Sequence, residues 1–276
     1  MNLKFDSISA EQHAYLPEGA RNLIWDVFFA SRQRGISLDY HFPWLLDEER
    51  IACVTLSREF NGVLETQAAL VIKKQHIEIV GTVGLIGLVC VDVKHRGRGL
   101  STRLIRAAEE YAKRASLNAL LLWTTKPDVY EKVGFTIDSI DLYGTARKAT
   151  ASLHIGAGDI SLANIRVEKR NNGGVPAFAN EVIEFSTGSA SVTACKTNQG
   201  LSLAEWHGDP QEIVALINNC FPNVWQINAA EYSPLIPALQ GNGYSLDLRP
   251  GATRMVLGLT LTNQQPIPYI KLLDRI

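Results

Sequence analysis

The segment VGLIGLVCV, Val83 to Val91, leads into VKHRGRG, Val93 to Gly99, and then into LSTRLIRAAEEYAKR, Leu100 to Arg114. The first piece is apolar at nearly every position, so a strand here has both faces covered. It is much shorter than the ~20 apolar residues a bilayer helix needs. The last piece puts Leu104, Ala107, Ala108, Tyr111 and Ala112 on one helical stripe. Arg103, Arg106, Glu109, Glu110 and Lys113 fall on the opposite, wet face. A strand buried on both sides that feeds a surface helix through a short turn requires helices layered on a sheet. The glycines Gly81, Gly84 and Gly87 mark where the strand breaks or bulges.

The turn between them is basic and flexible. A helix N-terminus presents unpaired N–H groups and a partial positive charge. Glycines ahead of it let a ligand approach the backbone closely, and the combination suits phosphate. Arg96 and Arg98 add full charges. The plain alternative is a solvated basic turn. A Walker loop needs Gly-Lys-Ser/Thr closing the turn, and GRGLST has no such lysine. A dinucleotide fingerprint needs a third glycine where Thr102 stands, and an acid after the next strand, which ends in Trp123-Thr124-Thr125.

The flanking pattern completes one layered domain. Residues 18–33 read as a helix with Leu23, Ile24, Val27 and Phe28 on its stripe. A loop with a short helix follows, then a hairpin through Asn61-Gly62. After the long helix come a buried strand LNALLLWTT, a short helix KPDVYEKVGF closed by Gly134, and a strand TIDSIDLYG. From Thr150 the order repeats faintly. VPAFANEVIEF reads as helix-like, ASVTACKT and GLSLAEWHG as strands, and DPQEIVALINNC as a helix with Asp209 as N-cap and Pro210 in its first turn. NVWQINAA is a strand, SPLIPALQGNGY a short helix, and SLDL and TRMVLGL two further strands. YEKVGF and LQGNGY each close a short helix with glycine and an aromatic ring before a strand. The expectation is an α+β chain with domains at 1–148 and 149–276, the second a degenerate copy of the first.

Lys94-His95-Arg96-Gly97-Arg98-Gly99, between a buried strand and a long helix, with Tyr130 to Phe135 as Tyr-x-x-x-Gly-Phe one strand later, resembles the GNAT superfamily of acetyl-CoA-dependent N-acetyltransferases. The resemblance covers roughly Leu23 to Tyr143, with Lys94 where the family usually has Gln or Arg. It implies a mixed, mostly antiparallel sheet flanked by helices. It implies acetyl-CoA as co-substrate and acetyl transfer to a primary amine by direct attack in a ternary complex. It also implies backbone groups of Val91 and Val93 open to the pantetheine arm. Amides from Arg96 through Gly97, Arg98, Gly99 and Leu100 to Ser101, with Thr102 nearby, would hold the pyrophosphate. Tyr130 would hydrogen-bond the departing thiolate.

The resemblance leaves the general base open. Many family members place Glu on the strand before the turn, yet no carboxylate lies between Glu78 and Asp92. Candidates are Asp39, His41, Glu78, water, or the Ile276 carboxylate. The last rests on analogy with the enhanced-survival aminoglycoside acetyltransferases and the N-myristoyltransferases, multi-copy relatives that use their own C-terminus. In the second half, EWHGDPQEIV keeps one glycine and no arginine, and Leu239 stands where Tyr130 stands in the first. That half is expected to bind no acetyl-CoA and to wall the substrate cleft. The loop Ser37–Leu46 reads first as rings packing the first helix on the sheet. Its second reading is a contact for a cationic acceptor, with Asp39 among Tyr40, His41, Phe42 and Trp44.

Composition narrows the class. A net charge of -1 argues against a nucleic-acid partner. Cys53, Cys90, Cys195 and Cys220 form no CxxC pair and no ligand cluster with histidine, which points to reduced core cysteines and no metal. MNLKFDSISAEQ has no charged start followed by an apolar run, so no signal peptide is read and the cytoplasm is the expected compartment. The expected partner is a small-molecule amine or a peptide N-terminus, with no membrane, for a monomer or homodimer. A coenzyme-binding sensor or scaffold without catalysis is the competing reading.

Overall fold

The computed structural model describes residues 8–30, 35–149, 164–170, 173–260 and 266–275. They form two compact units. The first comprises Met1–Asp138, Arg254–Pro268 and Arg275–Ile276, and the second Ser139–Thr253 and Tyr269–Asp274. The units therefore interleave along the chain, where the sequence led to a single cut at 148/149.

In the first unit, β1 (Ile8–His13) pairs antiparallel with β2 (Ile51–Phe60). β2 turns at Asn61 and Gly62, both with positive φ, into β3 (Val63–Ile77). α1 (Glu18–Phe28) and α2 (Leu38–His41) come between β1 and β2 in the chain, with a 3-10 turn at Pro43–Leu46. α1 stops short of the expected end at 33. β4 (Gly81–Val91) lies antiparallel to β3 and parallel to β5 (Ala119–Thr124), with α3 (Leu100–Arg114) between them in sequence. α3 has the expected bounds. Leu100, Leu104, Ile105, Ala107, Ala108 and Ala112 are its buried residues, packed with Leu56, Leu70, Ile72 and Leu120. α4 (Pro127–Glu131) leads into β6 (Thr136–Lys148). The strand order is β1-β2-β3-β4-β5, then the end of β12 (Tyr244–Gly258), then the start of β6.

The second unit contains β7 (Arg166–Lys169), β8 (Glu181–Ser186), β9 (Ser191–Thr197), β10 (Gly200–His207), α5 (Pro210–Cys220), β11 (Val224–Ala230), α6 (Leu235–Gly241) and β12 (Tyr244–Gly258). β10 and β11 are parallel, and β6 runs antiparallel to β11. Its core gathers Ile213, Leu216 and Ile217 of α5 with Trp225, Ile227 and Leu239. The helix-like reading of residues 175–185 is corrected: Glu181–Ser186 is a strand held between β7 and β9. Over so few residues an i, i+4 stripe and a strand pattern overlap, and pairing partners on both sides decide. SLDL and TRMVLGL are likewise one strand, β12, running through Pro250. Gly144 of β6 explains how tightly β12 lies there, since a Cβ on it would sit 1.9 Å from the Asp247 carbonyl oxygen.

Both units carry a parallel pair within the same local order: strand, helix, strand, short helix, strand. In the first this is β4-α3-β5-α4-β6, and in the second β10-α5-β11-α6-β12. The closing strands are exchanged. β12 stands beside β5, and β6 stands beside β11. The result is a mixed, mostly antiparallel α+β fold.

Candidate active site

β4 and β5 are paired only over Val83–Leu85 and Ala119–Leu121. Past Leu85 the register of β4 against β3 slips: Val71 faces Gly87, but Ala69 faces Cys90, so β4 carries one extra residue. Leu88 absorbs it with φ 52°. A left-handed leucine costs roughly 1–2 kcal/mol. The bend falls one residue beyond Gly87, not on any of the three glycines.

A cavity of ≈ 490 Å³ opens beyond the bulge. Val89, Cys90 and Val91 form one wall, and Val27 and Phe28 of α1 another. The rest of the lining is His95, Arg96, Gly97, Gly99, Leu100 and Ser101. The turn is shaped locally. Asp92 accepts a hydrogen bond from the Lys94 N–H at 2.8 Å and starts a 3-10 turn over Val93–His95. The Arg96 Nε donates to the Val91 carbonyl at 3.3 Å. Gly97 and Gly99 have φ 75° and 72°, and a Cβ on either would meet nothing within 4 Å. Gly99 is the N-cap of α3, with no side-chain cap and no acid in the first turn. The opening amides of α3 thus face open space beside Arg96, a setting that accepts an anion.

Of the residues singled out from sequence, Val91, Arg96, Gly97, Gly99, Leu100 and Ser101 line this cavity, whereas Val93, Arg98 and Thr102 do not. The strand ends at Val91, and Val93 belongs to the 3-10 turn with its side chain exposed. Val27, Phe28, Val89, Cys90 and His95 complete the lining. His95 Nε2 lies 3.6 Å from Glu65 Oε1, and both ring nitrogens are buried without a hydrogen bond. The Cys90 thiol donates to the Ala69 carbonyl at 3.6 Å, and burial pushes its pKa up to about 12.

Tyr130 sits on α4, half-buried, with its ring 6.0 Å from Phe135 in an edge-to-face contact. It packs on the first unit's core and is not part of the cavity lining. Burial raises its phenol above the ordinary value. The Tyr-to-Phe spacing is a helix ending: Tyr130 O accepts from Val133 N and Phe135 N, and Gly134 takes φ 96°.

The base candidates are engaged or distant. Asp39 accepts from Arg21 Nη1 at 2.7 Å. His41 is buried, stacks on Phe29, and accepts the Ile36 N–H at Nε2, 3.0 Å away. The ring contacts Trp25–Phe29, Phe29–Phe42 and Phe42–Trp44 extend this cluster, and Lys73 Nζ lies 5.5 Å over Trp44. Glu78 is exposed in the turn before Gly81, at the opposite end of β4 from the cavity. That end is on the order of 30 Å away at ~3.3 Å per strand residue. Ile276 lies outside the described residues. Among the described residues no group of three or more His, Cys, Asp or Glu is placed to hold a metal, and no helix is long and apolar enough to cross a membrane.

Residues 6–135 match the family model "Acetyltransferase (GNAT) family". This stretch is a GNAT domain. No curated protein matches the chain. Solved structures share its fold over most of its length. A GCN5-related N-acetyltransferase from Kribbella flavida is 12% identical with TM-score 0.59, covering 94% of this chain and 73% of that one. A probable N-acyltransferase from Enterococcus faecalis V583 is 11% identical with TM-score 0.63, covering 92% and 73%. A GCN5-related N-acetyltransferase from Anabaena variabilis is 12% identical with TM-score 0.58, covering 90% and 72%. The GNAT domain supports acyl transfer as the general chemistry. The bulged β4 and the capless α3 are the features of the domain that build its cavity.

Proposed function

We propose that the chain is an acetyl-CoA-dependent N-acetyltransferase that acts on a primary amine, a small molecule or a peptide N-terminus, in the cytoplasm. The observation that carries this reading is the cavity between the bulged end of β4 and the uncapped start of α3. Its residues fit a thioester coenzyme. Arg96 and the amides of Gly97 to Ser101 supply cationic and N–H donors for a pyrophosphate, and the empty space at Gly97 and Gly99 admits it. Val89 and Val91 present a strand edge to an amide-bearing arm. Bound there, acetyl-CoA supplies the activated acyl group.

Cys90 bears on the route. With its pKa pushed up to about 12, the thiol stays protonated at neutral pH and makes a poor nucleophile. This supports direct attack of the amine on the thioester over an acyl-cysteine intermediate. The C–N bond forms as the C–S bond breaks. Tyr130, with its proton held more firmly by burial, is the donor assigned to the leaving sulfur. With Asp39 and His41 engaged and Glu78 distant, the amine's proton is assigned to water, and the Ile276 carboxylate, outside the described residues, stays the alternative acceptor. The four free cysteines agree with a reducing compartment.

The second unit presents a different helix start. Asp209 caps α5 by accepting from the Gln211 N–H at 2.8 Å, and Glu212 adds a second acid to the first turn. A carboxylate there repels an anion, so we assign one coenzyme per chain.

Calorimetric titration with acetyl-CoA on wild type, Gly99→Asn and Gly99→Glu tests the reading. Asn tolerates the left-handed φ better than most residues, so Gly99→Asn separates a filled cradle from a broken turn. One site per chain, weakened in Gly99→Asn and lost in Gly99→Glu, is expected. No binding to the wild type would remove the function and leave the fold. Binding without turnover across an amine panel would make the chain a coenzyme sensor.

A further inference from the structure

We infer that the second unit holds a separate site for a flat apolar carboxylate, between the diverging ends of β10 and β11. The parallel pairing there covers only Ser202–Gln226 and Leu203–Ile227. Beyond it lies a cavity of ≈ 290 Å³. Trp206 from β10 and Ala229 and Ala230 from β11 form its sides. Tyr232, Ser233 and Pro234 from the following turn, with Tyr269 and Lys271 from the C-terminal segment, complete it. In open α/β sheets ligands sit in crevices outside the carboxyl ends of parallel strands, and this cavity lies at that end of the parallel β10–β11 pair.

The lining sets the ligand class. Three aromatic rings and a proline offer flat apolar surface, and Tyr232 remains 55% exposed. At ≈ 290 Å³ the cleft reaches the lower end of small-ligand pockets, about 300 Å³. Lys271 is the charged residue on the wall, and no acid lines it. The acid nearby, Glu205, is turned to the Leu273 amide, which donates to its Oε1 at 3.0 Å. Lys271 acts on Glu205 through space, yet a cationic aromatic in the cavity would face the ammonium with no acid on the wall to hold it. A carboxylate would meet its counter-ion, with the Ser233 hydroxyl beside it. The corresponding crevice in the first unit is lined by glycines, arginine and helix amides. The same splay has therefore lost its phosphate-binding parts and acquired rings.

The test is titration of the full chain with naphthalene-2-carboxylate, its neutral carboxamide and 2-naphthylmethylammonium. The carboxylate should bind once per chain and best of the three. Lys271→Gln, at an exposed position, should weaken it about two- to fivefold and leave the carboxamide unchanged. Tyr232→Ala and Ala230→Leu should both weaken all binding, with folding checked by thermal melting, and Tyr232→Ala covers the case in which Ala230→Leu misfolds. Failure of the carboxylate to saturate by about 5 mM overturns the site. Preference for the ammonium, or indifference to Tyr232→Ala and Lys271→Gln, overturns it equally. Acetyl-CoA titrated into the same variants should bind as in wild type, so the two sites stand or fall separately.

Discussion

Arg254 reaches back to Asp138 inside the first unit, its Nε donating to Oδ2, while its two terminal nitrogens donate to the carbonyls of Ile267 and Pro268 at 2.7 Å each. The Arg254 side chain is 4% exposed and that of Asp138 22%. The arginine thus fastens the closing strand and the segment after it to the start of β6.

Arg254→Ala should destabilise the protein by about 3–5 kcal/mol, because it leaves a carboxylate and two carbonyls without their donor. Asp138→Asn should cost less, about 1.5–3 kcal/mol, since the two carbonyl bonds remain. Urea unfolding of both variants checks the order. Equal losses would mean the pair does not act as described.

Cys90→Ser should leave turnover within about threefold of wild type, because a thiol held near 12 takes no part as a nucleophile. Initial rates against both substrates should give intersecting lines. Parallel lines, together with loss of activity in Cys90→Ser, would replace direct transfer by a covalent route.

Tyr130→Phe should lower kcat about 100-fold with little change in the KM for acetyl-CoA. The ring contact to Phe135 survives the change, so melting should shift little. Burial raises the phenol, so its donor form persists to higher pH than that of a free tyrosine. The alkaline limb of the wild-type rate should therefore lie above the ordinary phenol value, and the variant should lack it.

Cys53, Cys90 and Cys195 each have their pKa raised from 9.0 to about 12, burial being the largest cause. The folded state holds these protons and the unfolded state releases them. Their contribution is intact below pH 9 and is lost as pH rises toward 12. Each thiol should steepen that fall by up to about 1.4 kcal/mol per pH unit. Urea midpoints between pH 8 and 11 for wild type and Cys195→Ala measure the slope. Parallel curves would contradict it.

Local rules carried the reading of the turn and its helix. The ends of α3 follow from a stripe that starts after a left-handed glycine and stops at Arg114. α5 follows from Asp209 and Pro210 in the same way. Features set by distant pairing escaped. β1 is mostly polar and is defined by β2 opposite it. Residues 181–186 became a strand through neighbours on both sides. Leu88 has no special residue type to announce a positive φ, and the register between β3 and β4 imposes it. His95 reaches the cavity through the 3-10 turn that Asp92 starts, a geometry its spacing did not suggest.

The exchange of closing strands also sets a clock on synthesis. A ribosome completes Asp138 long before it reaches Arg254, and the intervening stretch belongs to the other unit. At ~5–20 residues per second the delay is on the order of ten seconds. Throughout it β5 waits with one edge unpaired, a template for any passing strand. The nascent first unit thus keeps that edge open until Arg254 and the residues after it are made, and a slower message would lengthen its exposure.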